Sequence, residues 1–509
     1  MSGLWKTRIG LEVHVRLASR SKLFCACPNL FETNPNVHIC PVCTGQPGSL
    51  PALGRGAVEL ALRAAVLFDF DVAMLSRFDR KHYFYPDLPK GYQVTQQEVP
   101  LGRDGQLEIE VDGRRVRIPL SRIHIEEDAG RSVHSEEHTR IDFNRAGAPL
   151  VEIVTDPVME TAQEVGAFLR RLREELRYAG VSDGDMDKGS MRTDVNISVY
   201  DSSRLGRAEV DAEGPRVEIK NLNSIRAAQD AVDFEVARQI QEAQETIRRG
   251  AQLHSITVQT RRWVASSEGL PGHSKLMRTK ASQLDYRFLE DPDLLPLALL
   301  ATDLDAARAM LPEGPLAMRD RWRCEYDLSA HDAEVLSSSP QLAAYFEATA
   351  RALQAPVRGE SPPARQSYKA AANWIINDLA SLSSGFDKVA PFQVAALVRL
   401  VESAYISHKS GRLLLSALVA RHVDQPGHDG DLLEMAQALD LELVNDSALL
   451  DEYCYAAMAR REDAIQSWQA GRLQAADALL GEAMMLSRGK AAPDKLRARL
   501  LALLEVHDT

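Results

Sequence analysis

No stretch of this sequence is apolar for anything near the roughly 20 residues that a membrane-spanning helix needs, so a helical span is excluded at once. Cysteine is scarce: six in 509 residues is too few for a scaffold built on disulfides. An excess of basic charge is also missing. The 60 Lys and Arg stand against 72 Asp and Glu, for a net charge of −12, which argues against indiscriminate polyanion binding but leaves room for a local basic site. There are no repeats at solenoid spacing and no low-complexity block. Neither G-x-x-x-x-G-K-[ST] nor G-x-G-x-x-G occurs, so no P-loop and no kinase-type glycine loop supplies a nucleotide site. G-x-S-x-G is absent as well, and no Cys/His or Ser/Lys arrangement reads as an amidase. The opening MSGLWKTRIG carries no signal or transit pattern, so a cytoplasmic location is expected.

What is present begins at Ile9. Ile9, Leu11, Val13, Val15 and Leu17 alternate with Gly10, Glu12, His14 and Arg16, the period of a half-buried strand with Glu12 and His14 on its polar face. A carboxylate and an imidazole so placed make half of a metal or acid/base site, or simply a solvated face. Cys25, Cys27, Cys40 and Cys43 follow as C-x-C, twelve residues, then C-x2-C. One loop closure brings both pairs together, and tetrahedral zinc wants four thiolates about 2.3 Å from the ion. Two disulfides are the alternative, but Cys324 and Cys454 stand alone in helical sequence, and structural zinc is favoured.

From Arg77 to Gln96 the cations Arg80, Lys81 and Lys90 are interleaved with Tyr83, Phe84, Tyr85 and Tyr92 on what reads as an irregular segment. Cations beside stacking rings suit phosphate, nucleotide or RNA; equally, the rings plug a core. Two strands over 106–128 pair through an Asp112–Gly113 turn and end on Glu126, Glu127 and Asp128. The string HSEEH, 134–138, fits H-x-x-E-H but lies between a glycine turn and a strand rather than on an amphipathic helix, so a solvated loop is expected there. In PLVEIVT, 149–155, Glu152 sits within a run apolar on both faces, so it must meet a cation, a metal or a hydrogen-bond cluster. MRTDVNISVY places Arg192, Asp194 and Asn196 on one face, and RVEIKNLNSIR offers Glu218, Lys220, Asn221 and Asn223. Carboxylates recurring on successive strands are the hard oxygen ligands that suit magnesium, and with Arg and Lys nearby they are the equipment of phosphoryl transfer.

Beyond Pro296 glycine thins out and helical periodicity runs nearly to the end, broken at 357–366 and 424–431. The expected class is therefore α+β: a first domain over 1–295 with a mainly antiparallel sheet, then all-α helical and tail domains over 296–409 and 410–509. In the tail Arg488, Lys490, Lys495, Arg497 and Arg499 form a cluster that reads either as an RNA-backbone contact or as a solvated helix face.

The strings GLEVHV, KLFCAC with ICPVCTGQPG, FDRKHYFYPDLPKGYQ, IHIEEDAG, IDFNRAGAPLVEIV, MRTDVNIS, EIKNLNS and a helical ANWI…GK tail occur in order. Together they resemble the B-subunit family of the aspartyl/glutamyl-tRNA(Asn/Gln) amidotransferases, over almost the whole chain. The resemblance implies a first domain forming a cradle related to the glutamine synthetase catalytic fold. It also implies ATP- and Mg²⁺-dependent phosphorylation of the Glu or Asp side chain of misacylated tRNA. Amidation would follow, with ammonia from a glutaminase (amidase-type) partner, the A subunit, in a complex that includes a small C subunit. By the same resemblance Glu12, His14, Glu127 and Glu152 are the catalytic magnesium ligands, joined by Asp194. The resemblance also makes the zinc structural and has the helical end hold tRNA, for which Arg488, Lys490, Lys495 and Arg497 of the basic cluster are the expected contacts. Arg80, Lys81, Tyr83, Tyr85, Lys90, Arg192 and Lys220 are the expected substrate- and nucleotide-binding groups. A non-catalytic, zinc-stabilised tRNA-binding scaffold is the alternative. The linkers PDLLPL and 357–366 depart most from the family pattern.

Overall fold

A computed structural model describes residues 5–32, 34–204, 213–267, 270–279, 286–355, 364–382, 388–424 and 431–507. The chain divides into two compact units, Met1–Pro315 and Leu316–Thr509.

In the first unit the elements run β1 (Trp5–Arg16), α1 (Arg55–Leu67), β2 (Asp71–Val72), β3 (Leu75–Ser76), β4 (Asp79–His82), β5 (Tyr92–Thr95), β6 (Gly102–Val111) and β7 (Arg114–Glu127). They continue with β8 (Arg131–His134), β9 (Thr139–Asp142), β10 (Pro149–Thr155), α2 (Ala162–Tyr178), β11 (Met191–Asp201), β12 (Val217–Leu222) and α3 (Ile225–Arg248). Last come β13 (Gln259–Val264), β14 (His273–Thr279), β15 (Leu289–Glu290), β16 (Leu297–Ala298) and α4 (Ala301–Ala309). Nine strands form one sheet in the order β14-β13-β12-β11-β1-β10-β7-β6-β2. Neighbouring strands in it run antiparallel except β12 and β13, which are parallel. That exception follows from α3, a crossover helix long enough to carry the chain back to the same edge.

The sheet is two-faced because its strands alternate. Ile9, Leu11, Val13 and Val15 of β1, Ile123 and Ile125 of β7, and Val195 and Ile197 of β11 are at most 1% exposed. They share a core with Phe168, Leu169, Leu172 and Leu176 of α2, Ala61, Leu62, Ala64 and Ala65 of α1, and Ala228, Ala231 and Val232 of α3. At roughly 25 cal/mol per Å² of apolar area, each large aliphatic or aromatic side chain contributes about 1.5–3 kcal/mol, so this layer fixes the register of the whole sheet. The helices are started locally: Thr161 and Glu164 form a capping box on α2, and Ser224 caps α3. The β6–β7 hairpin turns at Asp112 and Gly113, both at positive φ, as the Asp-Gly pair predicts.

The segment expected to be irregular, 77–96, is strand at both ends. β4 pairs with β5 and with β15, so only its middle is loop. The expected first boundary at 295 falls inside the first unit, because β16 pairs with β3 and α4 packs on α1. His134 and His138 lie at the turn of the β8–β9 hairpin, away from any helix, as the rejected zinc-protease string requires.

The second unit is helical. The expected junction at 409/410 lies within the helix His408–Asp424. Helices Ser447–Arg460, Ala475–Leu486 and Pro493–His507 pack through Leu450, Cys454, Leu479, Leu496 and Leu500, with Val444 packed against them. No helix among the described residues is long and apolar enough to cross a membrane.

Candidate active site

The face of the sheet away from the helices carries charge. β1 lies between β10 and β11, and the antiparallel register puts His14 opposite both Glu152 and Arg192 and puts Glu12 opposite Asp194. On the next strands, Glu152 faces His124 and Asn196 faces Glu218. Directly paired residues point to the same face of a sheet, so these side chains converge.

They form two adjacent triads, His14/Glu126/Glu152 and Glu12/Asp194/Glu218. Within each, one candidate ligand atom per residue lies within 4.8 Å of the others. In the first, His14 Nδ1 is 2.8 Å from Glu126 Oε1 and 3.7 Å from Glu152 Oε2. His124 closes the group from behind, with Nε2 3.4 Å from Glu152 Oε2 and 3.8 Å from Glu126 Oε2, while its buried Nδ1 has no hydrogen-bond partner. Burial works against a charged His14, but Glu126 and Glu152 outweigh it and lift its pKa to about 9. Burial likewise opposes the Glu152 carboxylate, yet His124 and then His14 hold it down at about 2.

The second triad is poised the other way. Burial, then repulsion from Glu152 and Asp194, raises Glu12 above the usual carboxylate range, against a hydrogen bond donated by Asn196 Nδ2 at 3.0 Å. Lys220 Nζ bridges Asp194 Oδ2 at 2.5 Å and Glu218 Oε1 at 2.8 Å. Burial opposes the charge on Lys220, but Asp194 and Glu218 overcome it and raise its pKa.

One expected ligand is elsewhere. Glu127 has the parity of Ile123 and Ile125, so it turns from the charged face; its carboxylate is held by Lys90 Nζ and by the Val94 amide at 2.9 Å. Glu126, its neighbour, stands with His14 and Glu152. None of Glu126, His124 and Glu218 belongs to the ligand set expected from the sequence. The phase of RIHIEE carries the signal for the first two, since isoleucines on the core side put His124 and Glu126 on the other.

Around the triads, Arg192 Nη2 pairs with Asp128 Oδ2 at 2.9 Å. Tyr83 is raised above the usual phenol range by burial and then by Glu126, Glu127 and Asp128. Tyr85 and Phe84 beside it are 63% and 86% exposed. Arg80 is spent internally: its Nε and Nη2 bind Asp291 and Asp293 at 2.8 Å each, and it stacks on Tyr92. Lys81 Nζ lies over the Tyr286 ring at 5.0 Å.

Cys25, Cys27, Cys40 and Cys43 converge, their Sγ atoms within 4.8 Å of one another, and all are free thiols. Four sulfurs from two short pairs are a zinc donor set, and no disulfide competes for them. The triads, rich in carboxylate oxygen, fit a hard divalent cation. In the second unit Lys490, Arg497 and Arg499 are paired with Asp440, Asp477 and Asp451, while Arg488 and Lys495 are exposed.

Residues 7–305 match the family described as GatB/GatE catalytic domain, which makes the first unit a catalytic domain of that class, and residues 362–504 match the GatB domain. The chain is 39% identical over 505 residues to the B subunit of the aspartyl/glutamyl-tRNA(Asn/Gln) amidotransferase of Elusimicrobium minutum, covering 98% of both chains. It is 39% identical to the B subunit from Thiobacillus denitrificans, over 98% of this chain and 100% of the other, and 38% identical to that from Thermus thermophilus, over 99% and 100%. The chain belongs to the family of aspartyl/glutamyl-tRNA(Asn/Gln) amidotransferase B subunits.

Proposed function

We propose that the first unit, a cradle of the glutamine synthetase kind, activates the side-chain carboxylate of Glu or Asp carried on tRNA(Gln) or tRNA(Asn) by phosphoryl transfer from ATP. Ammonia from a glutaminase partner, the A subunit of a complex that also holds a small C subunit, then displaces phosphate and leaves the amide. The observation that carries this reading is the pair of triads on one sheet face. A free carboxylate is unreactive toward ammonia, and activating it brings two anions together; a protein that does so must offset their repulsion.

Glu126 and Glu152, with His14 once the entering cation has displaced its proton, would hold one Mg²⁺ and Glu12, Asp194 and Glu218 another, where bound magnesium would supply charge neutralisation to the phosphates. The chain's own groups do the rest. Arg192, fixed by Asp128 on the same face, positions an anionic oxygen of the substrate. Lys220 shifts from its carboxylates to a phosphate oxygen. Tyr83 and the exposed Tyr85 and Phe84 offer a ring surface to a base. The four cysteines hold structural zinc, and the second unit contacts tRNA through Arg488, Lys490, Lys495 and Arg497.

The test is Glu152→Gln in the assembled complex, read as ATP hydrolysis dependent on misacylated tRNA and as amidation supported by free ammonia. Both should fall by about 100-fold or more. Unchanged ATP hydrolysis would leave the chain a zinc-stabilised tRNA-binding scaffold.

A further inference from the structure

Lys22 is fully buried, one of the largest side chains in the molecule with no exposure at all. A buried ammonium must place all three of its donors, and Lys22 does so: Nζ reaches His38 O at 2.7 Å, Phe143 O at 3.2 Å and Cys43 Sγ at 3.5 Å. These partners belong to three different pieces of chain. His38 is in the loop between the two cysteine pairs, Cys43 is in the second pair, and Phe143 opens the turn from β9 to β10.

The contact is reinforced on both sides. Asn36 Nδ2 donates to Ile141 O at 3.0 Å, Asn36 Oδ1 accepts from the Phe143 amide at 2.8 Å, and the His38 amide donates to Asn144 Oδ1 at 2.8 Å. The Leu23 amide donates to Gly147 O at 2.8 Å, and the Gly147 amide donates to Asp128 O at 2.9 Å. Gly147 holds φ +81°, where a side chain would be strained. From the same turn, Arg145 binds Ala129 O at 3.0 Å and Gly130 O at 2.7 Å, just past the end of β7 that carries Glu126. A continuous set of hydrogen bonds thus leads from the cysteine cluster to the backbone that ends at the first triad.

We propose that Lys22 is a positioning residue: it offsets the negative charge of the tetrathiolate zinc site and fastens that site to the 141–148 turn, so that zinc occupancy sets the order of the turn. The proposal rests on the zinc reading above. Groups that hydrogen-bond to metal ligands commonly change metal affinity by about 10- to 100-fold, and Lys22 donates to a ligand sulfur directly.

The experiment uses the full chain with Zn²⁺ and a chromophoric chelator, alongside hydrogen exchange read on peptides spanning 141–148 and 162–178. Lys22→Met keeps the stem and removes the donors. It should give up zinc to the chelator about 10- to 100-fold more readily, and while still zinc-loaded it should exchange faster over 141–148 but not over α2. The unmodified chain stripped of zinc should show the same local change, and this arm decides the matter if Lys22→Met fails to fold. Zinc retention and exchange in Lys22→Met equal to those of the unmodified chain would overturn the proposal. So would a stripped chain in which 141–148 stays protected, or one in which α2 loosens equally. An unmodified chain that binds no zinc would remove the zinc reading itself.

Discussion

Glu152 lies directly across the β1–β10 ladder from His14 and directly across the β10–β7 ladder from His124, so one buried carboxylate stands between two imidazoles on three consecutive strands. Its Oε2 is 3.7 Å from His14 Nδ1 and 3.4 Å from His124 Nε2. A carboxylate in that position needs no further partner for its burial, which is why an apolar strand tolerates it.

The two consecutive glutamates at the end of β7 should behave differently. Glu126→Gln is expected to weaken divalent-cation binding and to abolish tRNA-dependent ATP hydrolysis. Glu127→Gln should instead loosen the 84–91 loop by leaving Lys90 without its ion partner, at a cost of about 1–3 kcal/mol, with cation affinity largely kept. Mn²⁺ titration followed by electron paramagnetic resonance, with thermal melts of both variants, separates them. Equal loss of Mn²⁺ binding in both variants would contradict this division.

Lys220 pairs with Asp194 and Glu218, so it would compete for them with the proposed cation. In Lys220→Met the second triad should therefore bind Mg²⁺ more tightly, while ATP hydrolysis falls because a phosphate contact is gone. Isothermal titration with Mg²⁺ alone gives the first effect and a coupled ATPase assay the second. An unchanged or weaker Mg²⁺ affinity would speak against the competition.

Removal of zinc should cost stability before it costs chemistry. Cys40→Ser should lower the melting temperature by several degrees and reduce zinc from one ion per chain to substoichiometric levels, with the triads still able to bind Mn²⁺. Metal analysis by emission spectroscopy and a melt curve check both. Four freely titratable thiols in chelator-free protein would dispose of the site.

The tail's cations should contribute unequally to tRNA binding. Arg488 and Lys495 are exposed, whereas Lys490, Arg497 and Arg499 are already neutralised by Asp440, Asp477 and Asp451. Arg488→Ala with Lys495→Ala should flatten the plot of log affinity against log salt by about 1–2, and Arg497→Ala by less than about 1. Filter binding across a salt series measures this.

Under the proposed function glutamine alone should not serve this chain as a source of ammonia, since no arrangement in its sequence reads as an amidase. Incubated with glutamine, the isolated chain should release no ammonia above buffer controls, and adding the proposed glutaminase partner should give release. A glutamate dehydrogenase-coupled assay reads both. Release by the isolated chain would mean an unrecognised nucleophile.

Much of this architecture can be read locally. The alternation in IGLEVHVRL and MRTDVNISVY predicts two strands and the face of their charged residues, the apolar run PLVEIVT suggests a third whose Glu152 needs a partner, and the structure pairs those strands as neighbours. The Asp112–Gly113 turn and the caps of α2 and α3 are equally local. What the sequence hides is pairing at a distance. Arg80 reads as a nucleotide contact because its partners, Asp291 and Asp293, lie far along the chain. The β16–β3 ladder that draws residues past 295 into the first unit is invisible for the same reason. Lys22 looks like an ordinary surface lysine within ASRSKLFC, since nothing nearby announces that carbonyl and sulfur acceptors will close over it. Glu126 is a different kind of miss: its position is legible from the isoleucine phase, and the adjacent carboxylate obscures it.

The central place of β1 has a consequence for how the protein is made. Its two ladders are with β10 and β11, so β1 finds neither ladder partner until residues 149–201 have followed it from the ribosome. At about 15 residues per second that wait is on the order of ten seconds. Through it Ile9, Leu11, Val13 and Val15 remain an unpaired apolar strand, a substrate for nascent-chain chaperones and a nucleus for aggregation when translation stalls.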